Sequence, residues 1–449
     1  MVTSIGGLSS GIDTTSLINS LMQVEAQPQN SLRGKVSDVT TANTAYQTVN
    51  TKMKSLLTAA QDLLKADTWK AAKATSSSTD VTVTASPGAL SGDMTFNVTT
   101  LAKAHRMTSA FADANTAVTP SGSFDITIGD QVTSIVLDPD KNTPQGAADA
   151  INKANLTSNL GVRASVVTTA DGPVLQIAST KTGAANAFQV TGMYDPPTVM
   201  TEGSDAELVV GDPNAGGFKV TSSSNTFTGV MPGVTITATK APAEATVGVV
   251  ADTDTMAAKM QALVDAANGA LAQINLSSAS TPGTSSGAKS SSGPLAGDYT
   301  VRQLAGKILS AVSTGADKAV AGLESFGSFK KLGVELTRDG KLTFNKDTFV
   351  SAYNTNPGQI KEAVTTGLAK TMETVGKAAT DSIDGALTTK IKSNATMISR
   401  LNKEILDWDT TLANRRTALQ RQFTGMESAL SKISSQSSWL GSQMSGGGS

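Results

Sequence analysis

The chain has 449 residues, Lys+Arg at 36 against Asp+Glu at 37, 4% aromatic residues, one His and no Cys. At about 150 residues per domain there is room for roughly three domains. The missing Cys excludes disulfides, thiolate metal sites and Cys nucleophiles, a lone imidazole excludes multi-His metal sites, and a balanced charge argues against a nucleic-acid binder.

No stretch approaches the roughly 20 consecutive apolar residues of a membrane span, so no membrane insertion is expected. The opening, Met1 to Gly11, has neither a basic n-region nor an apolar h-region, and no cleavable secretory signal is expected. Asp13 is placed to cap a short amphipathic helix carrying Leu17, Ile18, Leu21 and Val24. Pro28 should break or kink it. Leu32, Val39, Tyr46, Met53 and Ala60 then fall at sevens, flanked by Val36, Leu57 and Leu64, which reads as a long helix lending one face to a core.

The texture then changes to period two. Residues 79–84 and 94–99 alternate as half-buried strands. Residues 124–128 and 134–137 flank Gly129-Asp130 as a hairpin, and Thr143-Pro144 sets a cap and an N1 proline ahead of a short helix with Ala147, Ala148 and Ile151. A second hairpin joins 162–168 to 174–178, and further strands are expected at 208–210, 217–220, 234–239 and 247–250. Helix returns at 255–274, with Met256, Met260, Leu263, Val264, Ala267, Leu271 and Ile274 on one side. Residues 277–294, rich in Ser, Thr, Gly and Ala, read as a flexible loop. Residues 299–313 look helical, and 332–336 with 341–344 look like a hairpin across Arg338-Asp339-Gly340.

The strongest periodicity comes last. Ile391, Ile398, Ile405, Leu412, Leu419, Met426, Ile433 and Leu440 stand at heptad spacing. A second stripe runs through Leu401 and Trp408, then one position on through Phe423 and Leu430. That drift is expected when a 3.6-residue helix is read against a 3.5 repeat. Polar Asn394, Arg415 and Gln422 interrupt the seam, so it is narrower than a dimeric zipper's. Some 50 residues of helix would extend about 75 Å, and so long a helix projects toward partners. The two terminal stripes can bury each other as an antiparallel pair. The fold class expected is therefore α+β multidomain, with paired N- and C-terminal helices forming coiled-coil-like legs around inserted β-rich domains.

Signals for chemistry are weak. Gly7-Leu8-Ser9-Ser10-Gly11 and Gly283-Thr284-Ser285-Ser286-Gly287 both match G-x-S-x-G, but Ser9 lies too near the terminus to follow a strand and Ser285 lies in low-complexity sequence. Gly-Lys pairs at Gly34, Gly306, Gly340 and Gly376 lack the following Ser/Thr and the upstream Gly of a P-loop. His105 reads as a surface or edge histidine, since a general base needs a positioned partner. Asp138-Pro139-Asp140 reads as a turn lacking the further oxygen ligands of a calcium site. Trp69, Trp408 and Trp439 are expected at helix contacts, with Trp439 a possible anchor of a subunit interface. No enzyme activity, metal or cofactor is expected.

Several segments together resemble one family. Ile5-Gly6-Gly7-Leu8-Ser9-Ser10-Gly11-Ile12-Asp13 with Leu17-Ile18 and Leu21-Met22 is similar to the start of the flagellar filament cap family, hook-associated protein 2. In family order follow Val98-Thr99-Thr100-Leu101-Ala102-Lys103-Ala104, Ala147-Ala148-Asp149-Ala150-Ile151-Asn152, Gly161-Val162-Arg163-Ala164-Ser165 and Asp171-Gly172. After these come Pro294-Leu295-Ala296-Gly297-Asp298, Leu332-Gly333-Val334, Arg338-Asp339-Gly340-Lys341-Leu342, Arg421-Gln422-Phe423 with Met426-Glu427, and Ser437-Ser438-Trp439-Leu440. Asn345 departs from the Asp common after the glycine hairpin, and the Ser-rich segment 277–294 is long for the family.

The resemblance implies a protein that leaves the cell through the flagellar export apparatus, escorted beforehand by an export chaperone, and sits outside at the filament tip. There it forms a ring of roughly four to six subunits that promotes folding and insertion of flagellin. Its expected parts are a terminal leg domain at 1–45 with 400–449, a helical bundle with a small hairpin at 46–74 with 253–399, a β-rich domain at 75–112 with 205–252, and an outer β-rich domain at 113–204. Leu17, Leu21, Leu412, Leu419, Phe423, Met426, Leu430 and Leu440 are the expected partner-binding and oligomerisation residues. Another axial flagellar protein, a hook–filament junction protein or a flagellin, would share the terminal helices. An adhesin would use the β domains.

Overall fold

A computed structural model of the chain describes residues 13–281, 291–315 and 327–445. The fold is α+β, in two compact units. One combines the residues up to Leu64 with those from Ala257 onward; the other is Lys65–Met256.

The helical unit opens with α1 (Thr14–Glu25), whose first turn is capped by Asp13 Oδ1 accepting from Ser16 N–H at 2.9 Å. A single turn residue, Ala26, separates it from α2 (Gln27–Leu64). Pro28 falls in the first turn of α2, where a missing N–H costs nothing, so it starts the second helix and does not kink the first. The buried stripe of α2 is Ala45, Tyr46, Val49, Met53, Leu56, Ala60 and Leu63. Its earlier apolar residues Leu32, Val36 and Val39 are only half-buried, so the core face occupies the second half of the helix.

Period-two burial organises the inserted unit. Its strands are β1 (Ala72–Ser76), β2 (Val81–Ala85), β3 (Gly92–Thr100), β4 (Arg106–Ala110), β5 (Ser123–Ile128), β6 (Gln131–Val136), β7 (Val162–Thr169), β8 (Gly172–Ser179), β9 (Phe188–Thr191), β10 (Thr198–Thr201), β11 (Ala206–Val210), β12 (Phe218–Ser222), β13 (Thr226–Thr228), β14 (Val234–Ala238) and β15 (Ala243–Ala251). Helix α3 (Pro144–Ser158) is capped by Thr143 and starts on Pro144. The sheets are ordered β1-β15-β3-β11-β12, β13-β14-β2, β10-β4-β8-β7 and β6-β5-β9, with antiparallel pairing throughout.

Two cores result. One gathers Phe96, Val98, Leu208, Phe227, Ile236 and Val247 with their neighbours. The other places α3, through Ala147, Ala148 and Ile151, against Phe124, Ile126, Leu175 and Ile177. At the turn between β7 and β8, Gly172 has φ 119° and its hydrogen stands where a Cβ would lie 2.3 Å from Phe111 O; only glycine fits.

His105 corrects the sequence reading: it is buried, only 4% exposed. Its Nδ1 accepts from Gly203 N–H at 3.2 Å and its ring stands edge-on to Phe188 at 4.9 Å. Ser179 Oγ accepts from the His105 N–H at 2.9 Å. The cause is strand alternation, which sends His105, Met107 and Ser109 inward and Arg106 outward.

The chain re-enters helix at α4 (Thr253–Ser278), nearly two turns longer than its apolar pattern suggested. Where a loop was expected, Ser280–Thr281 pairs with Ser291–Ser292 as β16 and β17; residues 282–290 lie outside the described residues. Then come α5 (Tyr299–Ser313) and the hairpin β18 (Val334–Leu336) with β19 (Leu342–Phe344). Asn345 acts as N-cap, accepting from Thr348 N–H at 2.9 Å as an Asp would, to open α6 (Lys346–Thr355). Helix α7 (Pro357–Glu362) runs through a π turn (Ala363–Leu368) into α8 (Ala369–Thr380). In α8, Gly376 lets the backbone approach α2, since a Cβ there would stand 2.9 Å from Leu57 Cβ. The last helix, α9 (Ala386–Ser445), has 60 residues, about 90 Å at 1.5 Å per residue.

Candidate functional site

Among the described residues of the helical unit, α9 carries a long run of exposed apolar side chains. Its first half is held. Leu387 is fully buried, Leu401 and Leu419 are buried, and Ile391, Ile398, Ile405, Trp408, Leu412 and Phe423 are half-buried. Helix α2 packs along it, and α1 packs against it further on. Polar contacts fix the register. Gln29 Nε2 donates to Ile405 O at 3.2 Å and to Asp409 Oδ1 at 2.5 Å, and Arg33 stands 3.9 Å from Asp409. Arg415 Nε reaches Glu25 Oε1 at 3.0 Å, and Arg416 donates to Asn19 Oδ1 at 2.6 Å. Arg415, which interrupts the heptad seam, thus joins Arg416 in tying α9 to α1.

The root of α9 is pinned separately. Tyr46 Oη on α2 donates to Asp298 Oδ2 at 2.5 Å, and Lys390 Nζ on α9 lies 3.6 Å from the same oxygen. Asp298 also caps α5, its Oδ1 accepting from Val301 N–H at 3.2 Å. Burial pushes the Asp298 carboxyl upward, yet the Tyr46 hydroxyl, the backbone N–H groups and Lys390 outweigh it and hold the group below its ordinary range. Burial and the neighbouring carboxylate together push the Tyr46 hydroxyl well above its ordinary value. One carboxylate thus joins α2, α5 and α9.

The apolar residues in the second half of α9 are exposed among the described residues. Met426 is 38% and Leu430 37% exposed, and Ile433, Trp439 and Leu440 are more exposed still. Trp439, expected at a helix contact, is 63% exposed, because no other element of the described residues extends along this stretch. Its charged residues are sparse, Arg421, Glu427 and Lys432, and much of the rest is Ser. On α1, Ile18 is buried while Leu17, Leu21 and Val24, spaced i, i+4, i+7, remain exposed along one stripe.

The eight residues singled out from sequence thus divide. Leu412, Leu419 and Phe423 belong wholly or partly to packing within the chain, whereas Leu17, Leu21, Met426, Leu430 and Leu440 are exposed. The Tyr46–Asp298–Lys390 junction was not foreseen; its members lie too far apart in sequence for spacing to signal it.

Among the described residues, none of the chemical signals weighed from sequence assembles into a catalytic arrangement. Ser9 and Ser285, and the opening motif before Asp13, lie outside the described residues. Gly376 of the Gly-Lys pairs is a helix-packing residue. Asp138 lies 3.8 Å from Lys141 at a short turn. Among the described residues, no group of three or more His, Cys, Asp or Glu could hold a metal ion. A groove between α2 and α4 is lined by Thr51, Ser55, Thr58, Ala59 and Ala262, with Asp62 and Lys259 paired at 3.0 Å.

Comparison with known proteins agrees with this architecture. The model of the flagellar hook-associated protein 2 N-terminus matches residues 10–105, and that of the C-terminus matches residues 203–435. The chain is 27% identical to the B-type flagellar hook-associated protein 2 of Pseudomonas aeruginosa over 96% of its own length and 94% of that protein. It is 26% identical to flagellar hook-associated protein 2 of Escherichia coli K12, with 97% of each covered. The crystal structure of the D1-D2-D3 domains of the Escherichia coli flagellar cap protein FliD shares the fold, with a TM-score of 0.59 at 24% identity, covering 78% of this chain and 99% of that one. With family models spanning both ends and more than half its length, this chain belongs to the flagellar hook-associated protein 2 family.

Proposed function

We propose that this chain caps the distal end of the bacterial flagellar filament, the role of its family, and does so as a ring of roughly four to six copies. The observation that carries the docking mode is the exposed second half of α9, an apolar stripe on a helix whose first half is held by α2 and α1. Leg segments 1–45 and 400–449 meet the filament through Leu412, Leu419, Phe423, Met426, Leu430 and Leu440, with Leu17 and Leu21 alongside. Residues 46–74 with 253–399 form the bundle that anchors the legs. The β-rich domains, 75–112 with 205–252 and 113–204, hold the ring together.

The mechanism follows from incomplete burial. A stripe interrupted by polar residues binds a partner with modest free energy per contact, so it can exchange one neighbour for the next as subunits add. A continuous apolar seam would trap a single partner. The chain leaves the cell through the flagellar export apparatus with a chaperone's help, and it retains flagellin at the tip while that protein folds and inserts. It acts by binding and shape, without a reaction step of its own.

The test is complementation of a strain lacking this gene. The unaltered chain restores filaments seen by electron microscopy. A Met426→Asp/Leu430→Asp chain leaves bare hooks and monomeric flagellin in the medium. Normal filaments from that variant would overturn the docking assignment.

A further inference from the structure

A sheet edge presents a row of unpaired backbone donors and acceptors, and soluble proteins guard such edges with charge, proline, bulges or cover. Four outer strands of the inserted unit show these devices. β1 carries Lys73 and β12 carries Lys219. Against β7, the Asn152 side chain donates to Ala164 O at 2.8 Å and accepts from Ala164 N–H at 3.0 Å, so α3 covers that edge. β10 has four residues, follows Pro196-Pro197 and shifts register between Val199 and Thr201.

β6 has none of them. Gln131-Val132-Thr133-Ser134-Ile135-Val136 contains no charge and no proline, and its register with β5 runs unbroken from Ile128↔Gln131 to Ser123↔Val136. It forms the outer strand of its sheet. The two-residue turn Gly129-Asp130 makes Ile128 and Gln131 the closing hydrogen-bonded pair. Thr133 and Ile135 therefore also bond to β5, and the backbone groups of Val132, Ser134 and Val136 point away from the sheet. The side chains of Val132 and Val136 are 64% and 74% exposed.

We propose that β6 is a docking edge for β6 of a second copy of this chain, the two strands running antiparallel about a two-fold axis through Ser134. The sequence of the free edge is its own complement: Val132 faces Val136, Ser134 faces Ser134, and Val136 faces Val132. Such a contact sets like against like, and a neutral strand is the kind that tolerates it. At its ends, Asp130 meets the Asp138–Lys141 pair of the other copy, whose charges cancel at 3.8 Å.

Paired valines on one face add cross-strand contact, and the two small sheets become one continuous sheet ordered β9-β5-β6-β6-β5-β9. So short a pairing buries far less than the roughly 1,200 Å² of a stable interface, so it is a weak contact. Being isologous, it saturates at two copies and cannot itself close a ring. It is separate from the ring of the proposed function and does not rest on that reading.

The absence of Cys makes the test clean, because one introduced thiol has no competitor. In the full chain, Ser134→Cys would place two thiols on a hydrogen-bonded pair with Cα atoms about 5.5 Å apart, within disulfide reach. Thr127→Cys, on the same face of β5, is the control, since it would sit about 20 Å from its mate, three strand spacings across and four residues along. Under mild oxidation, covalent dimer should form at least about tenfold faster from Ser134→Cys than from Thr127→Cys at equal concentration, as proximity requires. Adding Val132→Lys and Val136→Lys to Ser134→Cys should reduce the rate to the control's. The melting temperature should stay within about 2 °C, because both valines are exposed. Equal rates for the two cysteines, or a fast rate that survives the lysines, would overturn the proposal.

Discussion

The two halves of α9 carry the same heptad of apolar residues and meet opposite fates. Up to Leu419 the stripe is packed and its register is fixed by Gln29, Arg33, Glu25 and Asn19. From Met426 on, residues of the same type at the same spacing are left exposed. The first half is structural because a neighbour lies beside it. The second half differs in composition too: Gly425 and Gly441 lower helix propensity. An apolar pattern gives a helix its face; a partner gives it stability.

The largest expected effect probes the exposed half. Met426→Asp with Leu430→Asp should abolish swarming on soft agar while changing unfolding free energy by less than about 0.5 kcal/mol in urea titration, since both side chains are accessible. The buried half should invert that pattern. Leu401→Asp should cost about 3 kcal/mol or more by placing an unpaired charge in packed surroundings, read as a lowered urea midpoint.

Next is the root of the helix. Asp298→Ala should cost about 2–3 kcal/mol, since it removes a cap and leaves the Tyr46 hydroxyl and Lys390 without their acceptor. Because the folded carboxyl is held below its ordinary value, its contribution is present above the unfolded carboxylate range near about 4 and lost as pH falls through the lower folded value. Because the Tyr46 hydroxyl is held above its ordinary value, its contribution is lost as pH rises beyond about 10. Urea midpoints against pH should be flatter at both ends for Asp298→Ala. The smallest effect is at the surface: Arg415→Ala should cost about 0.5 kcal/mol. Hydrogen exchange gives a direct map of the contrast, with amides after Met426 exchanging much faster in the free chain than those of 386–419 and becoming protected on filament tips.

Much of this architecture was legible in the sequence because periodicity reports which face of an element is apolar. The heptads found α2 and α9, alternation found β5 to β8, and Thr143-Pro144 marked the start of α3 to the residue. Periodicity does not report what covers a face, so Leu419 and Met426 looked alike and Trp439 was expected in a contact. β1, β4, β9, β10 and β13 went unseen because three to five residues hold too few alternations to stand out, and in β1 the sides differ only as Ala, Ser, Thr and Lys. Helices α6 to α8 were missed where Pro357 breaks the run and the π turn shifts its phase. His105 was misjudged because the lack of a catalytic partner says nothing about burial, whereas inward Met107 and Ser109 carried the correct alternation. The junction at Asp298 needed three distant segments folded together before it could be seen.

The π turn has a further consequence, for how this chain can change over generations. A wide turn holds one residue more than an α-helix needs over the same rise. Removing one residue from Ala363–Leu368 would let the turn relax to α and keep Met372, Val375, Gly376 and Ala379 facing as they do now. The same deletion within α8 would rotate everything after it by about 100° and swing Gly376 away from Leu57. Along this helix, loss of a single codon should therefore be tolerated at one turn and selected against on the α8 side of it.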